Sequence, residues 1–145
     1  MVRVYVDMVG DLFHAGHVAM LERARALGHE LLVGVCDDET TASYKRTPVL
    51  TTRERVAVIR ACRYVDDVWE ACPLRLSRAD IAARGIDIVV HGDDWSADAL
   101  RDYYGVPMDM GILRVLPSTP WISTSMIIGR VIARADELAP SARLP

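Results

Sequence analysis

Two histidines, in the string His14-Ala15-Gly16-His17, stand where a strand-like run gives way to a helix-like one. Gly16 lets the backbone turn tightly, and both imidazoles then converge on a helix mouth whose free N–H groups and dipole favour an anion. Two imidazole donors at such a place suit phosphate oxygens. His14, His17, His91 and Asp93 could instead gather round a zinc ion. Against that, the pair is not the i,i+4 helical pair, and no Cys or Glu ligand stands beside it. Lys45, next to Arg46, is the only lysine among 17 basic residues. A flexible ammonium can follow charge as it shifts between two phosphates, which a planar guanidinium fork does less well. In Ile122-Ser123-Thr124-Ser125, small hydroxyl residues open a helix, where they cap it and can also cradle an anion. Asp93 and Asp94 in His91-Gly92-Asp93-Asp94-Trp95 could hold Mg²⁺, cap the next helix, or accept from an exocyclic amine. Cytosine offers such a donor at N4 and uracil does not.

The string Asp11-Leu12-Phe13-His14-Ala15-Gly16-His17 resembles the HxGH motif of the nucleotidyltransferases that transfer AMP or CMP. Cys62-Arg63-Tyr64-Val65-Asp66-Asp67-Val68 and Trp121-Ile122-Ser123-Thr124-Ser125 narrow the likeness to cytidylyltransferases acting on glycerol 3-phosphate, phosphocholine and phosphoethanolamine. Ala42 to Arg46 and His91 to Trp95 are also similar to cytidylyltransferase domains of phosphonate metabolism. The likeness runs from about Val2 to Ile132. It implies a Rossmann-like fold and in-line attack by an acceptor phosphate or phosphonate on the α-phosphorus of CTP, releasing pyrophosphate. His14, His17 and Lys45 would be catalytic, with Lys45 bridging acceptor and α-phosphate. CTP contacts are implied for Val9, Gly10, Asp11, His14, Gly16, His17, Arg46, Asp94, Thr119, Ile122, Ser123, Thr124 and Ser125. Acceptor contacts are implied for Lys45, His91 and Asp93, and a dimer or phosphate contact for Arg63. Mg²⁺ is expected with the triphosphate, and a homodimer is expected.

The chain departs from the family pattern in three places. Met8 and Gly10 flank Val9 where a Gly and then an aromatic usually precede the Asp. Ser118 stands where an Arg usually precedes the Ile-Ser-Thr segment, leaving Arg114, Arg55 or Arg130 as candidate replacements. Pro73-Leu74 lacks the aromatic of the choline-type enzymes, which weakens cation–π capture of a quaternary ammonium. That favours a small phospho-alcohol, phosphoethanolamine or a phosphonate. An adenylyltransferase of the same superfamily and a non-catalytic nucleotide-binding module are the competing readings. The Cys62 to Val68 string argues against the first, and the intact His14, His17 and Lys45 against the second.

These residues need elements to hold them. Val2–Val6, Leu31–Cys36, Val65–Trp69, Ile86–Val90 and Ile112–Leu116 read as strands. Helices are expected over His17–Leu27, from a Thr51 or Thr52 cap to Cys62, and over Ser77–Arg84, Ala97–Tyr104 and Ser123–Glu137. Asp37 to Thr47 reads as a polar loop. Repeated βα units with β-branched strands predict an α/β, doubly wound parallel sheet in one domain over residues 1–139, with a tail at 140–145. Ligands of such sheets bind beyond the carboxyl ends of the strands, where all four chemical strings fall.

With 145 residues, 51% hydrophobic, and a net charge of -3, the chain is expected to be one soluble globular domain rather than a disordered or fibrous one. No apolar run nears the length of about 18 residues that spans a bilayer, and no signal peptide is evident, so a cytoplasmic location is expected. Cys36, Cys62 and Cys72 suggest buried free thiols. Six basic residues against Glu54 alone between Lys45 and Arg63 make a local positive field. It suits a phosphate-bearing small ligand better than nucleic acid, which needs a broad basic face. One domain also implies that both substrates share one cleft.

Overall fold

Val4 and Val6 point to one face of the first strand and Tyr5 to the other, and this alternation divides the core in two. The computed structural model describes residues 1–139, so the expected tail at 140–145 lies outside the described residues. Five strands, β1 (Arg3–Met8), β2 (Glu30–Val35), β3 (Asp67–Glu70), β4 (Ile88–Gly92) and β5 (Leu113–Leu116), pair in parallel in the order β3-β2-β1-β4-β5. The helices are α1 (Ala15–Arg25), α2 (Asp38–Ala42), α3 (Thr52–Arg60), α4 (Arg78–Ala83), α5 (Ala97–Asp109), α6 (Thr124–Ala133) and α7 (Ala135–Leu138). One core packs Val4, Val6, Val33, Val35 and Val90 against Leu21 and Ala24 of α1 and Val56 and Ile59 of α3. The other packs Tyr5, Leu32 and Val89 against Ile81 of α4 and Tyr104 of α5. The strand order reverses between β1 and β4, which opens a crevice at their carboxyl ends. This is the α/β, Rossmann-like, doubly wound parallel sheet that the sequence predicts.

Several boundaries move for identifiable reasons. Asp37 accepts from Thr40 N at 2.6 Å and starts α2 inside the stretch expected to be a polar loop. Thr51, not Thr52, caps α3, through a reciprocal pair with Glu54. α5 continues past Tyr104, where the backbone leaves helical geometry (φ -119°, ψ 21°) ahead of Pro107, which has no N–H for the helix ladder. The last helix breaks at Arg134 rather than running on to Glu137. Leu27, expected on the apolar stripe of α1, lies past the helix end and is 38% exposed. Cys36 and Cys72 are buried free thiols with sulfurs 3.8 Å apart, while Cys62 is half-buried.

Candidate active site

His14 is not merely near the first helix; it is its N-cap. Its Nδ1 accepts from Gly16 N at 3.0 Å, and His17 Nδ1 accepts from His14 N at 3.1 Å, a capping box built from two imidazoles. A neutral ring whose Nδ1 accepts must carry its proton on Nε2. Both rings are therefore Nε2–H donors, tilted at 36° to each other with centroids 3.9 Å apart. His14 Nε2 reaches Thr124 Oγ1 at 3.3 Å, and that hydroxyl donates to Asp11 O at 3.0 Å. Burial, with the His14 ring beside it, pulls the His17 pKa down to about 4; burial also lowers that of His14. Gly16 has no room for a side chain: a Cβ would lie 2.8 Å from His14 Cε1 and 3.2 Å from Ile122 Cγ2. Gly16→Ala is expected to displace the His14 ring and lower turnover by about tenfold to a hundredfold, since shifts of about 1 Å cost that much. Steady-state kinetics beside a thermal melt would check it.

The crevice between β1 and β4 is a cavity of about 840 Å³. It is lined by Val9, Gly10, Asp11, His14, Gly16, His17, Lys45, Arg46, His91, Asp94, Thr119 and Ile122 to Ser125, so most of the expected site residues share one space. Lys45 follows α2, exposed, with Nζ 5.4 Å from the Tyr44 ring centroid. Arg46 Nη1 lies 3.4 Å from Ser125 Oγ. Ser123 Oγ accepts from Met126 N at 3.1 Å and caps α6, so the capping role is present at the cavity wall.

Some expected residues do something else. Asp11 is buried and its carboxylate is saturated: Oδ1 accepts from Leu12 N and Leu50 N, and Oδ2 from Val49 N. It fastens the loop before α3 instead of offering a free carboxylate to a ligand. Asp93 is absent from the cavity lining; its Oδ1 accepts from Ser118 N at 2.9 Å. The contacts from Ser118, with the Arg23 charge adding, hold Asp93 below the usual carboxylate range. Arg63 also lies off the cavity, exposed, 5.8 Å from the Tyr64 ring. Of the basic run from Lys45 to Arg63, only Lys45 and Arg46 line the cavity, and Arg60 pairs with Glu70 at 2.9 Å. None of the three proposed stand-ins for the family Arg lines it either. Arg55 is fully buried on Leu50 O, Val9 O, Cys36 O, Asp38 and Thr52. Arg114 donates to Gly111 O and Leu113 O, and Arg130 is exposed near the end of α6.

The Met8–Gly10 departure is absorbed locally. Gly10 turns through φ 68°, and a Cβ there would lie 2.6 Å from Ile59 Cδ1, so Ile59 fills the space a side chain would need. Leu12 is also left-handed, at φ 49°, a strained backbone immediately before the histidines.

The cavity has an aromatic end that sequence reasoning missed. Asp7, at the end of β1, accepts from the Tyr104 hydroxyl, and burial pushes its carboxyl pKa up against that bond. The His91 ring sits 4.5 Å from Trp95 and 4.7 Å from Tyr104, centroid to centroid. His91 Nδ1 is 2.7 Å from Gly92 O, so that nitrogen carries its proton. Tyr44 and Tyr103 complete the wall, and Leu74 lines it too. The missing aromatic after Pro73 therefore does not leave the cavity without aromatic faces. The available signal was a lone Asp near the end of a buried strand and three aromatics, Trp95, Tyr103 and Tyr104, downstream of His91-Gly92.

Among the described residues no group of three or more His, Cys, Asp or Glu converges as a metal site, including the His14, His17, His91 and Asp93 set. Asp11 spends its carboxylate on three backbone N–H groups and Asp7 accepts from Tyr104, which leaves Asp94 as the one further carboxylate on the cavity wall and no group of ligands to hold an ion.

Known proteins resemble this chain. An ethanolamine-phosphate cytidylyltransferase of Arabidopsis thaliana is 43% identical over 92% of this chain. A choline-phosphate cytidylyltransferase A of Mus musculus is 39% identical over 95%. The chain spans 33% and 38% of those relatives' own lengths, about a third. Among solved structures, the lipopolysaccharide core biosynthesis protein of Thermoplasma volcanium superposes with a TM-score of 0.62 at 24% identity, covering 82% of this chain and 97% of that one, which shows the shared fold. The family model of the cytidylyltransferase-like proteins matches residues 10–130, and the chain belongs to that family.

Proposed function

We propose that this chain transfers CMP from CTP to the phosphate of a small amine-bearing phospho-alcohol, phosphoethanolamine first, with release of pyrophosphate. The observation that carries this reading is one cavity with two chemically different ends: the Nε2–H donors of His14 and His17 with Lys45 and Arg46, and the buried Asp7 carboxylate among aromatic rings. An acceptor of this class has matching ends, a phosphate and an ammonium. Relatives of similar identity act on ethanolamine phosphate or choline phosphate, and both belong in the test. A phosphonate of the same length is the further acceptor that the His91 to Trp95 string supports.

The transfer needs alignment and charge neutralisation, with no covalent intermediate on the protein. His14 and His17 stabilise charge on the α-phosphate and the leaving pyrophosphate through Nε2–H. Lys45 holds the acceptor phosphate against the α-phosphate. Asp94 accepts from the cytosine amine. Mg²⁺ bound to the triphosphate would supply further neutralisation of phosphate charge, and the roles of His14, His17 and Lys45 do not depend on a protein ligand for it. A homodimer, with the exposed Arg63 and the apolar surface of Trp121, Val131 and Ile132 available for contact, and a cytoplasmic location belong to the same proposal. No helix among the described residues is long and apolar enough to cross a membrane.

Pyrophosphate release, measured with each nucleoside triphosphate against phosphoethanolamine, phosphocholine, glycerol 3-phosphate and an aminoalkyl phosphonate, tests the reading. CTP with an amine-bearing acceptor should stand out. ATP dependence would favour an adenylyltransferase, and no release with any pair a binding module.

The depressed histidines give a second expected result. At pH near 5.5 the His17 ring, with its pKa near 4, is neutral in the free protein, and a bound triphosphate raises its proton affinity. CTP binding should therefore take up protons, read by calorimetry in two buffers of different ionisation enthalpy. Proton release on binding would contradict the placement of the triphosphate. Without ligand the sign for stability follows too. His17 titrates near 4 when folded against 6.5 unfolded, so its contribution is whole above pH 6.5 and falls as pH drops towards 4.

A further inference from the structure

Among the described residues, Arg23 of α1 is the one guanidinium that donates to the loop where the family's arginine is missing. Its Nη2 donates to Pro117 O at 2.8 Å and to Thr119 Oγ1 at 3.2 Å, while its buried Nε has no protein partner. The same loop is also held by Asp93, which accepts from Ser118 N. The three residues 117–119 are thus held between a cation and a carboxylate, both outside the cavity, while Ser118 and Thr119 line it.

The direction of these bonds decides what Thr119 can do. A guanidinium has no acceptor, so Thr119 Oγ1 can only accept from Arg23, and its own proton is left for another partner. No protein acceptor takes that proton among the described hydrogen bonds of Thr119. A hydroxyl polarised from behind by a cation and facing a cavity is a donor suited to an anion. Of the parts of CTP, only the triphosphate is anionic.

We infer that Arg23 is a positioning residue for the triphosphate of CTP, acting through the Thr119 hydroxyl and thereby supplying from behind the loop the positive charge that Ser118 lacks. The inference rests on the proposed use of CTP. Neither partner needs to move for it: the guanidinium fixes the loop carbonyl and orients the hydroxyl with the same nitrogen.

The test is kinetic, on the full chain, with CTP and the acceptor that works best in wild type. Arg23→Met keeps the aliphatic stem and removes the donors. It should raise KM for CTP by about tenfold, the worth of one charge-assisted hydrogen bond, with kcat within about threefold. Inhibition by cytidine, which has no phosphate, should stay within about twofold. Arg23→Lys should recover part of the loss, and Arg23→Met added to Thr119→Val should cost no more than Thr119→Val alone. If Arg23→Met does not fold, Thr119→Val must show the same loss for CTP and not for cytidine. An unchanged KM for CTP, equal weakening of cytidine, or independent effects of the two substitutions would overturn the inference while leaving CTP use intact. Absence of CTP turnover in wild type would instead overturn the functional reading beneath it.

Discussion

Replacing His17 with alanine should lower CMP transfer by about a thousandfold while the protein still folds. The removal of one preorganised donor to developing oxyanion charge costs about a hundredfold to a thousandfold, and His17 adds the loss of its neighbour's orientation. Its Nδ1 holds His14 N, so the substitution frees one cap of α1 as well, worth about 1 kcal/mol. A melting temperature lowered by only a few degrees, with turnover nearly gone, is the expected pair of readings. Lys45→Met is the cleaner companion. Lys45 is exposed, with its Nζ over the Tyr44 ring, so transfer should fall to a similar extent with no change in melting. Near-normal turnover in either variant would remove that residue from the catalytic assignment.

Arg55→Met should fail in the opposite way, by losing the fold. The guanidinium is fully buried and spends its donors on the carbonyls of Val9, Cys36 and Leu50 and on Asp38 and Thr52. These partners belong to the turn after β1, the end of β2, the loop before α3 and the ends of α2 and α3. Met leaves the carbonyls of Val9, Cys36 and Leu50 without this donor, and each buried acceptor left unsatisfied costs about 1–3 kcal/mol. Against a total stability of roughly 5–15 kcal/mol, that moves the urea midpoint far down or abolishes cooperative unfolding. Asp38→Asn should cost much less, because that carboxylate is 42% exposed and Arg55 keeps its carbonyls. Equal midpoints for Arg55→Met and wild type would show that the buried cation is dispensable.

What could be read from the sequence was what is local. The HxGH string, the hydroxyls of the 122–125 segment and Lys45 announce themselves because each sits at a junction between apolar periods, and short apolar runs, β-branched in β1 and β4, marked the strands. Arg55 shows where such reading stops. Spacing alone made it one more cation in a basic run, and only the meeting of three loops makes it a buried post. Asp93 and Asp94 are neighbours of one type, and which of them faces the cavity depends on the Ser118 backbone 25 residues away. Asp7 needed Tyr104, which reaches it only because α5 bends at that residue and carries on. Arg23 carries no signal of its own in the sequence, because its partners Pro117 and Thr119 lie more than 90 residues away.

The histidine cap of α1 also changes how far that helix can act. A peptide N–H at a helix end donates to an atom about 3 Å away and no further. Here Gly16 N and His14 N spend their protons on imidazole nitrogens, and each ring presents a second N–H on its far side. Polarisation therefore passes through the ring: the positive pole of the helix draws electron density from Nδ1, which makes the Nε2 proton a better donor. The two side chains lengthen the helix electrically by the width of an aromatic ring without adding a residue to it. Their field is ready before any ligand arrives, and it fades only if the first turn of α1 unwinds.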